Sequence, residues 1–137
     1  MERIIKIDGK DVAFRCTAGT ARRYRLFFGR DLIVDAQKLV NELSKAKEDA
    51  EKAGRDDLRI SPDLLVTFEN LAYMMAKQAD PDLPNTPDEW LDSFEMFSVY
   101  EILPQIIDLW LSSFQGIESV KKNRKIQTSH KTKKRGR

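Results

Sequence analysis

The first sixteen residues alternate between apolar and polar side chains around a central Asp8-Gly9 pair. The apolar positions are Ile5, Ile7, Val12, Phe14 and Cys16. A period of two is typical of a strand with one buried face, and Asp-Gly favours the positive φ angles of a type I′ turn. The pattern predicts a β-hairpin over about residues 3–16. Because an isolated hairpin is marginal in water, we expect it to lie on helices or to extend another sheet.

After Thr17 the apolar period becomes that of a helix. In "TAGTARRYRLFFGRD" one face holds Ala21, Tyr24 and Phe28, and Phe27 lies beside them. Gly29 predicts the end of this helix. The next stretch carries an apolar stripe at helical spacing, made of Leu32, Ala36, Leu39, Val40, Leu43 and Ala46. Beyond it "KAKEDAEKAG" reads as polar on all sides, which predicts a helix end that projects into solvent, with a loop after Gly54.

The rest of the chain contains signals for three further helices. Ser61-Pro62 predicts an N-cap and a first helical residue, and "PDLPNTP" predicts a rigid loop. Thr86 and Glu89 have the spacing of a capping box, opening a helix that carries Trp90, Leu91, Phe94 and Phe97. A last helix contains Pro104, which should bend or restart it, and ends near Gly116. The expected fold is α+β and mostly α-helical: an N-terminal β-hairpin, then about four or five helices, in one domain over residues 1–117.

Charge is distributed unevenly along the chain. Residues 1–30 carry eight Lys or Arg against three acids, and residues 31–120 carry seven against nineteen. Residues 121–137 hold nine Lys or Arg and no acid. We expect 118–137 to be a disordered basic tail or linker, since it has little to bury. An acidic body would repel nucleic acid over most of its surface, so a nucleic-acid partner is disfavoured.

The residues of the chain do not assemble into a catalytic or metal-binding motif. The single histidine, His130, lies in the basic tail, and the single cysteine, Cys16, falls on the apolar side of the second strand. "DPDLPNTPDE" lacks the glycine of a calcium loop and has prolines where such a loop must bend. We therefore expect no enzyme, cofactor or metal. The absence of a signal peptide, a membrane span and a cysteine framework predicts a cytoplasmic protein without a membrane partner.

Aromatic and arginine side chains offer the candidate partner-binding residues. Aromatics at helical spacing are most often core, but protein interfaces also favour aromatics and arginine. The candidates for partner binding are Tyr24, Phe27, Phe28, Trp90, Phe94 and Trp110. Arg22, Arg23 and Arg25 are either a solvated helix face or inter-subunit charge contacts. An exposed edge of the hairpin offers a further route to a homo-oligomer.

Several segments, in this order, resemble the tail assembly chaperones of long-tailed double-stranded DNA bacteriophages and prophages. They are "IDGKDVAFRCTAGTARRYRLFFGRDL", "FENLAYMMAKQADP", "DEWLDSFE" and "YEILPQIIDLWLSS", within residues 4–113. The resemblance implies a non-catalytic, self-associating protein that binds and solubilises the tape measure protein and promotes polymerisation of the tail tube around it. It also implies a place in the host cytoplasm and absence from the mature virion. The alternatives are a nucleic-acid-binding module that uses the basic tail and a minor structural tail protein.

The resemblance gives the basic tail a further meaning. Genes of this family commonly end in a programmed ribosomal frameshift, and the longer product is thought to recruit tail tube subunits. Slippage favours runs of adenine, which Lys-Lys and Lys-Asn pairs encode. The candidate positions here are Lys121-Lys122-Asn123 and Lys133-Lys134. Under this interpretation, the lysine pairs are partly a consequence of the adenine-rich RNA that slippage requires.

Overall fold

The computed structural model describes residues 1–113, in which a β-hairpin precedes five helices. The elements are β1 (Glu2–Ile7), β2 (Lys10–Arg15), α1 (Ala18–Phe28), α2 (Leu32–Ala53), α3 (Pro62–Ala79), α4 (Pro87–Asp92) and α5, described over residues 99–113. The predicted α+β, mostly helical class is confirmed. The predicted stop at Gly116 and the basic tail lie outside the described residues.

The hairpin forms in the predicted register. Ile7 pairs with Lys10, so Asp8 and Gly9 make a two-residue turn with φ angles of 55° and 75°. These positive angles are those of a type I′ turn. One face of the hairpin is buried, through Ile5, Ile7, Phe14 and Cys16. Cys16 is thus a core residue, as the alternation predicts, and the hairpin lies on the helices.

α1 begins and ends at capped residues. Thr17 and Thr20 form a reciprocal capping box, and Gly29 closes the helix with φ of 69°. The sequence pattern predicts the glycine stop but not this capping box, because Thr takes the place of the usual Glu or Gln. The Thr20 hydroxyl donates to Gln78 Oε1 at 2.7 Å, which ties the start of α1 to the end of α3.

A buried polar cluster joins α1 to α2. The Tyr24 hydroxyl donates to Asp35 at 2.9 Å, and Arg30 donates to both oxygens of the same carboxylate at 2.7 and 2.8 Å. The hydrogen bonds from Arg30 hold the pKa of Asp35 below its usual value despite burial. Burial, together with the bond to Asp35, raises the pKa of the Tyr24 hydroxyl. These bonds tie α1 and the residue after its glycine stop to the first turn of α2.

The second half of α2 differs from the prediction. Ala46 is buried, as the predicted stripe requires, but Ala50 is buried too, so the apolar stripe continues where the sequence reads as polar on all sides. Alanine is small and its exposed neighbours are charged, so the stripe is weak in the sequence. The helix ends at Ala53, before Gly54 at φ of 66°, as predicted.

α4 is shorter than the sequence predicts, because Phe94 and Phe97 lie beyond its last residue, Asp92. The hairpin turn supplies the reason. The Asp8 carboxylate accepts from the Glu95 backbone N–H at 3.0 Å, and Lys10 donates to the Ser93 carbonyl at 3.0 Å. Side chains of a distant turn thus satisfy backbone groups that a helix would otherwise pair.

α5 passes through Pro104 without interruption from 99 to 113. No restart therefore occurs at this proline within the described helix. Tyr100, whose carbonyl would receive the missing hydrogen bond, is 42% exposed, so water can reach the helix at this turn.

Candidate functional site

Three of the aromatic partner-binding candidates are in the core. Tyr24 is fully buried, Trp90 is 1% exposed and Trp110 is 5% exposed. Trp90 packs against Phe14 and Tyr73, with ring centroids 6.3 and 5.9 Å apart. Because these three side chains are buried, a partner-binding surface of the folded protein must be formed by other residues.

The other three candidates differ in exposure. Phe27 is 49% exposed, whereas Phe28 and Phe94 are partly buried against the core. The Phe27 ring lies 4.7 Å from Phe28 and 5.9 Å from Tyr73. Lys10 lies 5.4 Å from the centre of the Phe94 ring, within the range of a cation–π contact. Phe27 is therefore the candidate whose ring reaches both the core and solvent.

Phe27 forms part of an open groove of about 420 Å³ between α1 and α3, which we call the α1–α3 groove. Its apolar lining comes from Leu26, Phe27, Tyr73 and Met74. Leu26 is 70% exposed, although leucine usually lies inside. Sequence reasoning missed Leu26 and Met74. A usable signal was present for Leu26, an aliphatic residue among the arginines of α1, away from the apolar stripe.

Hydrogen bonds from α3 shape one end of the groove. The Tyr73 hydroxyl donates to the Pro84 carbonyl at 2.6 Å. Lys77 donates to the carbonyls of Pro81 and Leu83 and to the side-chain oxygen of Asn85. These bonds hold residues 81–85 beside the groove. Burial raises the pKa of Tyr73, and the negative charge of Glu89 raises it further, so this hydroxyl stays protonated as a donor.

Three arginines of α1, one of which lines the groove, have no ion-pair partner among the described residues. Arg23 lines it directly, and Arg22 and Arg25 are exposed on the same helix. Within residues 1–113 none of the three makes an ion pair. All the other arginines of that range do, namely Arg3, Arg15, Arg30, Arg55 and Arg59. The groove therefore combines apolar area with uncompensated positive charge.

A second groove, of about 810 Å³, lies between α2 and α3. Its lining alternates in sign, with Arg30, Lys38 and Lys45 beside Asp35, Glu42 and Asp63. This mixture favours no ligand charge, and most of the lining residues are polar. The α1–α3 groove is the better candidate for a protein partner, because it offers apolar surface and one sign of charge.

The described residues contain no group of three or more His, Cys, Asp or Glu placed to hold a metal ion. Within the same part of the chain no helix is long and apolar enough to cross a membrane. Comparisons of the chain with known protein families, with curated proteins and with solved structures found no match.

Proposed function

We propose that this chain is a phage tail assembly chaperone, a non-catalytic protein that binds and solubilises the tape measure protein and promotes polymerisation of the tail tube around it. Its place of action is the cytoplasm of the bacterial host, and it is absent from the mature virion. The ordered resemblance over residues 4–113 supports the choice of family, and the surface of α1 offers a candidate binding site.

The observation that carries the proposal is the α1–α3 groove with its exposed apolar lining. Phe27 and Leu26 expose about half and more than two thirds of their surface. When a partner covers exposed apolar area of this kind, the complex is stabilised by roughly 25 cal/mol per Å². A groove with apolar walls suits the apolar stripe of an amphipathic helix. The arginines beside it favour a client helix with acidic flanks.

Many weak sites along one long client would make such a chaperone effective. Each copy covers one apolar segment, and the client stays soluble when all its segments are covered. Tail tube subunits are the second partner, reached through a longer frameshift product that shares this domain.

The test is co-expression of the full chain with the tape measure protein encoded by the same phage genome. We expect the wild-type chain to keep the client in the soluble fraction. Phe27→Asp places a charge in the groove and should reduce the soluble client at least several-fold. The fold should survive, because Phe27 is half-exposed.

Ile33→Asp is the matched control, since Ile33 is 50% exposed on α2 and lines neither groove. It should leave client solubility unchanged. Circular dichroism of both variants checks that the helices remain. If a folded Phe27→Asp variant solubilises the client as well as wild type does, the groove is not the client site.

A further inference from the structure

Positive and negative charges are concentrated on different elements of the described chain. α1 and its end, residues 18–30, carry four arginines and no acid. Residues 78–113 carry eight acids and no Lys or Arg. Desolvation raises the pKa of Glu69, and the charge of Asp88 raises it further, an effect expected where negative charge is concentrated. One molecule thus presents both a basic and an acidic surface.

Each of these surfaces also holds a conspicuous apolar side chain. Leu26 and Met96 are the most exposed large hydrophobic residues of the described chain, at 70% and 66%. Leu26 lies among Arg22, Arg23 and Arg25, and Met96 follows Asp92 and Glu95. The described fold provides no cover for either side chain.

The acidic surface is held in place by the core and the hairpin. We define it as residues 92–96, the last residue of α4 and the first part of its connection to α5. Phe94 packs on Trp90 with ring centroids 5.5 Å apart, and Asp8 accepts the Glu95 backbone N–H. Lys10 is the cation nearest to this segment in the contacts described, and it donates to the Ser93 carbonyl. Asp92, Glu95 and Met96 remain exposed on this anchored backbone.

We propose that the α1–α3 groove of one copy binds residues 92–96 of a second copy. Met96 of the second copy covers Leu26 and Phe27, while its Asp92 and Glu95 face Arg22 and Arg23. Charge complementarity and the two uncovered apolar side chains select this occupant. The inference goes beyond the proposed function, because it needs no client and concerns the purified chain alone.

The contact joins two different surfaces, so each bound copy still offers one free surface of each kind. Such a contact repeats from copy to copy until a ring closes. Because its core is a single methionine surrounded by exposed charges, association should be weak and should fall as salt screens the charges.

Sedimentation velocity of the full-length chain over a range of concentrations tests the contact. In low salt the average mass should rise with concentration. Arg22→Glu with Arg23→Glu, called the basic-surface variant, should weaken association about tenfold or more, because like charges then meet. Asp92→Lys with Glu95→Lys, the acidic-surface variant, should do the same. The substituted positions are all exposed, and Lys at position 92 lies at the C-terminal end of α4, where the helix dipole favours a cation.

The decisive measurement mixes the two variants. Each keeps one surface intact, so the basic-surface variant and the acidic-surface variant should associate with one another more strongly than either associates with itself. Lys47→Glu and Asp49→Lys, exposed charges on α2 outside both surfaces, are the matched controls and should behave as wild type.

Three results would overturn the proposal: association that neither variant weakens, variants that stay apart when mixed, or a monomeric wild type at all concentrations in low salt. If only the acidic-surface variant lost association, the acidic surface would bind the basic segment 121–137 and not the α1–α3 groove, which would also overturn the proposal. Because no client is present, failure here leaves the proposed chaperone function standing, and loss of client binding leaves this contact standing.

Discussion

Asp35 shows how a single charged side chain is kept in the core. It is 2% exposed, and its carboxylate accepts three hydrogen bonds, one from Tyr24 and two from Arg30. Buried charge is costly unless it is paired, and the half-exposed Arg30 supplies the pair. The residue therefore connects α1 to α2 through charge and not through apolar contact.

Asp35→Asn tests this connection. We expect the free energy of unfolding at pH 7 to fall by about 1.5–3 kcal/mol, because asparagine removes the negative charge and one of the two oxygens that accept these hydrogen bonds. The folded-state pKa of Asp35 is lowered, so its stabilisation is present above the ordinary value of 3.8 and is lost as the pH falls through the lower, folded-state pKa.

Urea denaturation from pH 2 to 7 measures the effect. The difference between wild type and variant should shrink below pH 4. Asp49→Asn, an exposed residue without an ion pair among those described, should show no such convergence beyond a few tenths of a kcal/mol. A constant difference over the whole range would show that the charge of Asp35 contributes nothing.

At the scale of elements, the hairpin turn decides where α4 ends. Asp8 adopts a positive φ and binds the Glu95 backbone with the same side chain that favours the turn. One residue thus stabilises both its own turn and a segment 87 positions away. The acidic surface of residues 92–96 depends on this contact.

Asp8→Ala should lower the free energy of unfolding by about 1–2 kcal/mol, since alanine disfavours positive φ and cannot accept the hydrogen bond. Asp8→Asn should retain most of the stability, because asparagine tolerates the turn and keeps an acceptor oxygen. Urea denaturation of the two variants gives the comparison. Asp11→Ala, which removes only an exposed ion pair with Lys6, is the control and should change little. Equal losses for Ala and Asn at position 8 would argue against the contact to Glu95.

On the scale of the whole molecule, Arg23 and Leu26 belong both to the proposed client groove and to the proposed contact between copies. The two occupants therefore exclude each other. Adding an amphipathic, acid-flanked helical segment of the tape measure protein should lower the average mass of the chaperone, excluding the segment itself, in sedimentation. A rise in the number of copies per complex at the same concentration, with no free chain released, would show that client and copy use separate surfaces.

The helix boundaries were largely readable from the sequence because their signals are local. Asp8-Gly9, Gly29, Gly54 and Ser61-Pro62 each act within a few residues, and the structure places a turn or helix end at each. The end of α4 was not readable, since Asp8 and Lys10 reach it from the other end of the chain. The α1–α3 groove was only partly readable: Phe27 follows from the aromatic pattern, but Met74 joins it through the packing of α3 on α1.

The sequence by itself determined the hairpin, the helical stretches, most of the helix ends and the separation of charge, because periodicity and capping depend on neighbouring residues. Only the tertiary structure decided which aromatic rings are buried. Tyr24, Phe27 and Phe28 lie within one turn and a half of α1, yet Tyr24 is fully buried and Phe27 is half exposed. The difference arises because burial depends on which distant element covers a helix face. Asp35 and Tyr73 are contributed by α2 and α3, and no pattern within α1 specifies where they will stand.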